Sequence, residues 1–252
     1  MTLAQHLREL RRRFLIAVFA ILVGAGVGWW AAQYVFQGLL LPIKTAAAES
    51  GNQIVLSWDT VSSSFDLTLQ LALTIGVVLA SPVWLYQIWA FIIPGLKRRE
   101  KQYTYGFLGA AIPLFLAGCV VGWLVMPRLV EVLLSFQPAD TVANLTARYY
   151  VDFVLKLMMV CGVGFVLPVF LVMLNFAGVL SGRGILKGWR IAILAIVTFT
   201  AATTPATDIM SMLALAVPML VLYFLAVGIA MLNDRRRARR QAAYLESDLV
   251  TE

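Results

Sequence analysis

The chain has 252 residues, of which 61% are hydrophobic and 13% charged, and its formal net charge is +7. A water-soluble domain carries roughly a quarter charged residues, so this composition excludes an ordinary soluble protein. The basic residues lie in short segments between apolar runs, which makes the positive charge a topology signal and argues against nucleic-acid binding.

Several apolar runs have the length of a membrane-spanning helix, because about 20 helical residues cross the hydrocarbon layer. They predict an all-α, polytopic membrane protein with six transmembrane helices in a single domain over residues 1–252. Residues 1–13 precede the first span and have the periodicity of an amphipathic helix. Residues 233–252 form a basic tail. The spans are expected at about 14–36, 67–91, 105–126, 153–179, 191–203 and 209–232.

The fifth and sixth predicted spans are short. From Ile191 to Thr203 the helix rises only about 20 Å, and the segment that follows, 203–208, contains Pro205 and breaks it. A hairpin shorter than the bilayer must thin the membrane locally or leave a depression on one side.

The distribution of basic residues predicts the orientation. Of the 20 lysine and arginine residues, 16 lie in segments 1–13, 94–104, 181–190 and 233–252. Because positive segments stay in the cytoplasm, both termini are expected there. The arginine-rich run 235–240 is expected to anchor the last helix at the anionic inner leaflet.

Residue types that support catalysis are scarce in this sequence. His6 is the single histidine, which excludes zinc motifs such as H-E-x-x-H, and there is no G-x-S-x-G motif. Cys119 and Cys161 fall within apolar spans and are expected to be small buried hydrophobic side chains. We therefore expect neither an enzyme nor a bound cofactor or metal.

Charged side chains within the spans are also scarce. Lys156 is the only one well inside, and its long stem can carry the ammonium group to the outer interface. Asp66, Asp152 and Asp208 are placed at outer span ends. An ion-coupled transporter usually has ionisable groups near the membrane midplane, and this sequence offers no such pair.

Two carboxylates, Glu9 and Glu100, stand among arginines and lysines on the predicted cytoplasmic side. One interpretation is a local salt bridge, such as Glu9 with Arg13 at i,i+4, worth about 0.5 kcal/mol; charge pattern alone favours it. The alternative is a pair of carboxylates that bind cationic groups of a partner.

Three motifs resemble the TatC family, the membrane receptor subunit of the twin-arginine protein translocase. The first is His6-Leu7-x-Glu9-Leu10-Arg11-x-Arg13. The second is Ser81-Pro82-x-x-x-Tyr86-Gln87-x-Trp89-Ala90-Phe91-x-x-Pro94-Gly95-Leu96-x-x-x-Glu100. The third is Thr204-Pro205-x-x-Asp208 followed by Ala216-x-Pro218-Met219, and Pro42 after span 1 also fits.

The resemblance implies a receptor and translocation scaffold that binds signal peptides with two consecutive arginines on folded cargo. It implies a peptide site of Glu9, Glu100, Arg13, Phe91 and Leu96. Expected partners are TatA-type and TatB-type single-span proteins, further copies of the chain and membrane lipid. The expected location is the bacterial or archaeal cytoplasmic (inner) membrane. Further positions implied in partner binding or structure are Pro42, Pro205, Asp208, Val166 and Phe224.

Two of these positions depart from the family pattern. In span 4 a glutamate is usual where this chain has Val166, and in span 6 an acidic residue is common where it has Phe224. We therefore expect partner helices that are apolar at the matching depths. Two other functions remain open: a secondary transporter of small solutes, and a structural subunit without peptide recognition.

Overall fold

The computed structural model describes residues 3–50, 54–57, 62–92, 101–135, 143–203 and 209–251. Within these ranges the chain forms eight helices and two four-residue strands. The helices are α1 (Leu3–Ser50), α2 (Ser63–Leu79), α3 (Ser81–Ile92), α4 (Lys101–Ser135), α5 (Ala147–Phe176), α6 (Gly182–Lys187), α7 (Trp189–Thr203) and α8 (Ile209–Thr251), and the strands are β1 (Ile54–Ser57) and β2 (Ala143–Thr146).

Long apolar helices dominate the described part of the chain. Four are long and apolar enough to cross a membrane, at Gln5–Leu41, Gly106–Pro127, Ala147–Phe176 and Leu215–Arg239, and α2 with α3 forms a bent fifth segment. The helical membrane fold expected from composition is confirmed. α7 has 15 residues, which rise roughly 22 Å, so this helix is shorter than the four long apolar helices.

The first helix is longer than the sequence predicted. Residues 3–13 continue into the first span without a break, and the helix then extends through position 42 to Ser50. No proline interrupts residues 3–41, so nothing in that stretch forces the helix to end. Its second half is tied to α5, because the Tyr150 hydroxyl donates to the Leu39 carbonyl at 2.7 Å.

The second predicted span is divided into two helices, α2 and α3, which meet at an angle of 60°. Pro82 at the start of α3 has no backbone N–H and cannot continue the hydrogen bonds of α2. The bend is held by the Trp84 indole, whose Nε1 donates to the Val77 carbonyl at 2.9 Å.

The segment between predicted spans 1 and 2 contains the strand β1, and the segment between predicted spans 3 and 4 contains β2. These pair in parallel, with Ile54 opposite Ala143 and Ser57 opposite Thr146. Just beyond this pair, Arg148 Nη1 donates to Asp66 Oδ2 at 3.1 Å, which links the start of α5 to the start of α2. The short sheet and this ion pair join the ends of α2 and α5.

The buried core lies between the helices in two main clusters. One joins α1, α2, α4 and α5 around Leu71, Val154 and Leu157, and the other joins α3, α4 and α5 around Trp89, Phe107 and Phe115. Cys119 and Cys161 are both free and buried, as expected for small hydrophobic side chains.

Helices α4 and α5 approach closely at Gly118. A Cβ atom there would lie 2.5 Å from the Cys161 carbonyl oxygen, too near for any side chain. Small residues at such positions let membrane helices approach backbone to backbone.

Gly118→Ala is therefore expected to push α4 from α5 and to lower the free energy of unfolding by about 1–3 kcal/mol. Gly109→Ala, on the same helix but with open space around its added methyl group, is the matched control. Thermal unfolding of both variants in detergent measures the difference. Equal melting temperatures would show that the approach at Gly118 is not tight.

Candidate functional site

The first turns of α1 pack against the last turns of α3. The His6 and Phe91 rings lie 4.6 Å apart. Seven residues further along α1, Arg13 Nη1 donates to Gln87 Oε1 at 3.4 Å. The end of α3 is itself fixed in the core, because Trp89 is 1% exposed and stacks on Phe107 at 4.5 Å. These contacts hold residues 6–13 of α1 against the end of α3.

Glu9 lies between those two contacts and is bound to Arg13. Arg13 Nη2 donates to Glu9 Oε1 at 2.6 Å, and Arg13 Nε donates to the same oxygen at 3.1 Å. The two side chains are only 28% and 23% exposed. The salt bridge expected at i,i+4 is therefore present, and it is better shielded from water than a pair on a free helix surface.

A cavity of about 240 Å³ opens at this ion pair. Its wall combines a carboxylate, an amide and two guanidinium groups with one apolar side chain. The residues that line it are Glu9, Arg12, Arg13, Ile16 and Gln87. The cavity can accept a small planar cation beside the Glu9 carboxylate, with Gln87 as a second acceptor.

Among the residues predicted for the peptide site, the structure pairs Glu9 with Arg13 and places Phe91 against His6, three residues before Glu9. Glu100 and Leu96 lie outside the described residues, although Glu100 directly precedes Lys101, the first residue of α4. Gln87 was not predicted as a site residue. Its contact with Arg13 joins residues 74 positions apart, which local charge pattern cannot reveal.

The other predicted positions fall elsewhere in the chain. Pro42 lies within α1, while Pro205 and Asp208 are outside the described residues. Val166 is 3% exposed in the cluster between α3, α4 and α5, so it does not present its side chain to a partner helix. Of the two roles expected for this position, partner contact and structural packing, burial supports packing.

Phe224, unlike Val166, is exposed. It is 47% exposed and lines an open apolar groove of about 430 Å³ on α8. The groove is formed by Val217, Leu220, Val221, Phe224 and Leu225. This surface is apolar throughout, and the apolar partner contact expected from the sequence stays a prediction.

The charged residue inside a span, Lys156, is paired. Its Nζ lies 2.6 Å from Asp152 Oδ2, one turn nearer the start of α5, and Gln70 Nε2 donates to Asp152 Oδ1 at 2.8 Å. The lysine side chain therefore reaches back toward the helix end, as expected for an ammonium group that seeks the interface. This arrangement gives no support to a transporter with a charged site at the midplane.

Comparison with known proteins agrees with the motifs. The family model described as "Sec-independent protein translocase protein (TatC)" matches residues 5–218. A protein of that name from Xylanimonas cellulosilytica is 43% identical over 96% of this chain and 88% of its own length. Another from Rothia mucilaginosa is 37% identical over 96% of this chain and 83% of its own length.

A solved structure has the same fold. A crystal structure of the twin-arginine translocase receptor TatC in DDM superposes with a TM-score of 0.78 and 31% sequence identity. The match covers 89% of this chain and 99% of that one. The chain belongs to the TatC family of Sec-independent protein translocase proteins.

Proposed function

We propose that this chain is the membrane receptor of a twin-arginine translocase and binds the paired arginines of signal peptides on folded cargo. It works by binding, as a translocase component and not as an enzyme. The solved relative with the same fold is a twin-arginine translocase receptor, which supports this function.

The observation that carries the proposal is the guanidinium already bound to Glu9. Arg13 donates two hydrogen bonds to one carboxylate oxygen inside a partly enclosed cavity. A guanidinium has five N–H donors in a planar fork that a lysine ammonium cannot reproduce. An arginine of the signal peptide can join or replace Arg13 at this carboxylate, and Gln87 supplies a further acceptor.

Glu100 is proposed as the acceptor for the second arginine. It belongs to the sequence segment that follows α3 and directly precedes α4, and the last turn of α3 packs against α1 through the His6–Phe91 contact. In this proposal the two carboxylates share one surface, so that each arginine of the pair has its own acceptor. Leu96 in the same segment is proposed to contact the apolar part of the peptide.

Glu100→Lys is expected to abolish crosslinking of a twin-arginine peptide, because it replaces an acceptor with a like charge. Glu100→Gln keeps one acceptor oxygen and should lose less. Glu246→Lys makes the same charge change in the basic tail and is the matched control. Photocrosslinking in membranes, with chain abundance measured in parallel, tests all three. Undiminished crosslinking in Glu100→Lys would remove Glu100 from the site.

The proposal places both termini in the cytoplasm of a bacterium or archaeon, with six spans. The segments around Gly51 and Ala139 then face the outside. Single cysteines at these positions, in a chain with Cys119 and Cys161 replaced by alanine, should react with an impermeant thiol reagent in intact cells. A cysteine at Ala242 in the tail should not. Labelling at the tail position alone would show that the orientation is the reverse of the one proposed.

TatA-type and TatB-type single-span proteins are proposed as partners, together with self-association of the chain. The apolar groove that contains Phe224 suits the apolar face of a partner helix, which would pack by shape and van der Waals contact.

A further inference from the structure

A second cavity lies where α6 packs against α8, far along the chain from Glu9. It has a volume of about 370 Å³ and is lined by Ser181, Arg183, Met231, Asp234, Arg235 and Ala238. The four α8 residues are spaced i, i+3, i+4 and i+7, so they share one face of that helix.

The wall of this cavity is built from backbone contacts and buried hydrogen bonds. A Cβ atom on Gly182 would lie 2.7 Å from the Met231 backbone nitrogen, so α6 touches α8 backbone to backbone. The Gly182 N–H donates to Asp234 Oδ2 at 2.6 Å, and Asn175 Nδ2 donates to Asp234 Oδ1 at 2.8 Å. Asn175 is 1% exposed, so this anchor is inside the protein.

The charge that remains in the cavity is positive. Both oxygens of Asp234 accept hydrogen bonds from the wall. Arg183 and Arg235 are exposed, and neither belongs to an ion pair among the described side chains. Arg237, on the neighbouring face of α8, donates instead to the Phe176 carbonyl. Two guanidinium groups therefore face one carboxylate that is already hydrogen-bonded.

Residues near the cavity are of the types found at a membrane surface. Close to it in the chain, Trp189 is 42% exposed and the Arg190 guanidinium sits 5.6 Å from its ring centroid. Tryptophan and arginine together are typical of the membrane–water interface. Val179 and Ile191, on either side, are 68% and 74% exposed, as expected for apolar side chains covered by lipid.

We propose that this cavity binds the headgroup of an anionic phospholipid, with Arg183 and Arg235 on its phosphate. Arginine binds phosphate oxygens through two parallel N–H groups. Met231 and Ala238 provide an apolar wall for the glycerol and upper acyl chain, which a free phosphate ion would not need. Basic cavities between helices at a membrane surface are known to take anionic headgroups.

The test compares two double variants of the full-length chain in detergent. Arg183→Gln with Arg235→Gln removes the two cavity arginines. Lys187→Gln with Arg239→Gln removes the same charge from the same two helices outside the cavity lining. Native mass spectrometry measures retained phosphatidylglycerol against phosphatidylcholine, and inorganic phosphate is added in a separate arm.

The natural chain and the outer variant should retain phosphatidylglycerol, and the cavity variant should bind it about tenfold or more weakly. Retention of phosphatidylcholine and the melting temperature without lipid should stay unchanged in all three proteins. Equal losses in the two double variants would overturn the proposal, since surface charge alone would then explain binding. Displacement of the lipid by millimolar inorganic phosphate would also overturn it, because the site would then recognise phosphate only.

Discussion

Glu9→Lys is expected to abolish binding of a twin-arginine peptide at concentrations that saturate the natural chain. The change removes the carboxylate that accepts hydrogen bonds from Arg13, and it places an ammonium group in the same cavity. Arg12 and Arg13 line that cavity too, so three positive groups would then repel the arginines of the peptide. Equilibrium binding of a fluorescent peptide to the purified variant measures the loss.

Two further variants make this test specific. Glu9→Gln removes the charge but keeps an acceptor, and a hydrogen bond to a charged group is worth about 1.5–3 kcal/mol, so binding should weaken roughly tenfold to hundredfold. Leu10→Lys adds a positive charge in the same turn of α1 at an exposed position that does not line the cavity. If Leu10→Lys weakens binding as much as Glu9→Lys, then added positive charge, and not loss of the Glu9 carboxylate, explains the effect.

Val166→Glu is expected to cause a large loss of stability. The Val166 side chain is 3% exposed among the apolar side chains of α3, α4 and α5. A carboxyl group placed there would be removed from water, and that cluster contains no described side chain with a charge, an amide or a hydroxyl group that could bond to it. The free energy of unfolding should fall by about 3 kcal/mol or more. Thermal unfolding in detergent and in bilayers measures this cost.

Val166→Thr is the matched control, since threonine has nearly the volume of valine and its hydroxyl can bond to a carbonyl of the preceding turn. It should lose much less stability than the glutamate variant. Co-purification of the proposed single-span partner gives a second readout. A glutamate variant that is as stable as the natural chain and captures more partner would show that a polar docking site persists at this depth.

The helical architecture was predictable because apolar runs of membrane length leave the chain few alternatives. Short-range features were predictable for the same local reasons: the Glu9–Arg13 pair is four residues apart, and α7 is short because its apolar run is short. The motif around Glu9 also pointed to the correct family.

Long-range contacts were not predictable from local pattern. Gln87 reaches Arg13 across 74 positions, and Asp234 reaches Gly182 across 52. Val166 is buried because of the way α3 and α5 pack against α4. A helix that is apolar on all sides does not specify which of its faces packs against a neighbour. The bend before α3 did have a local signal, Pro82, although one continuous span was predicted there.

The most direct measurement of the central claim is the affinity of the purified natural chain for two peptides that differ only in their paired residues. One carries two arginines and the other two lysines, so charge is equal and only the donor geometry differs. The proposed site predicts saturable binding of the arginine peptide, about tenfold or more tighter than the lysine peptide. Equal affinity for the two peptides, or no binding of either, would contradict the claim that this chain is a twin-arginine receptor.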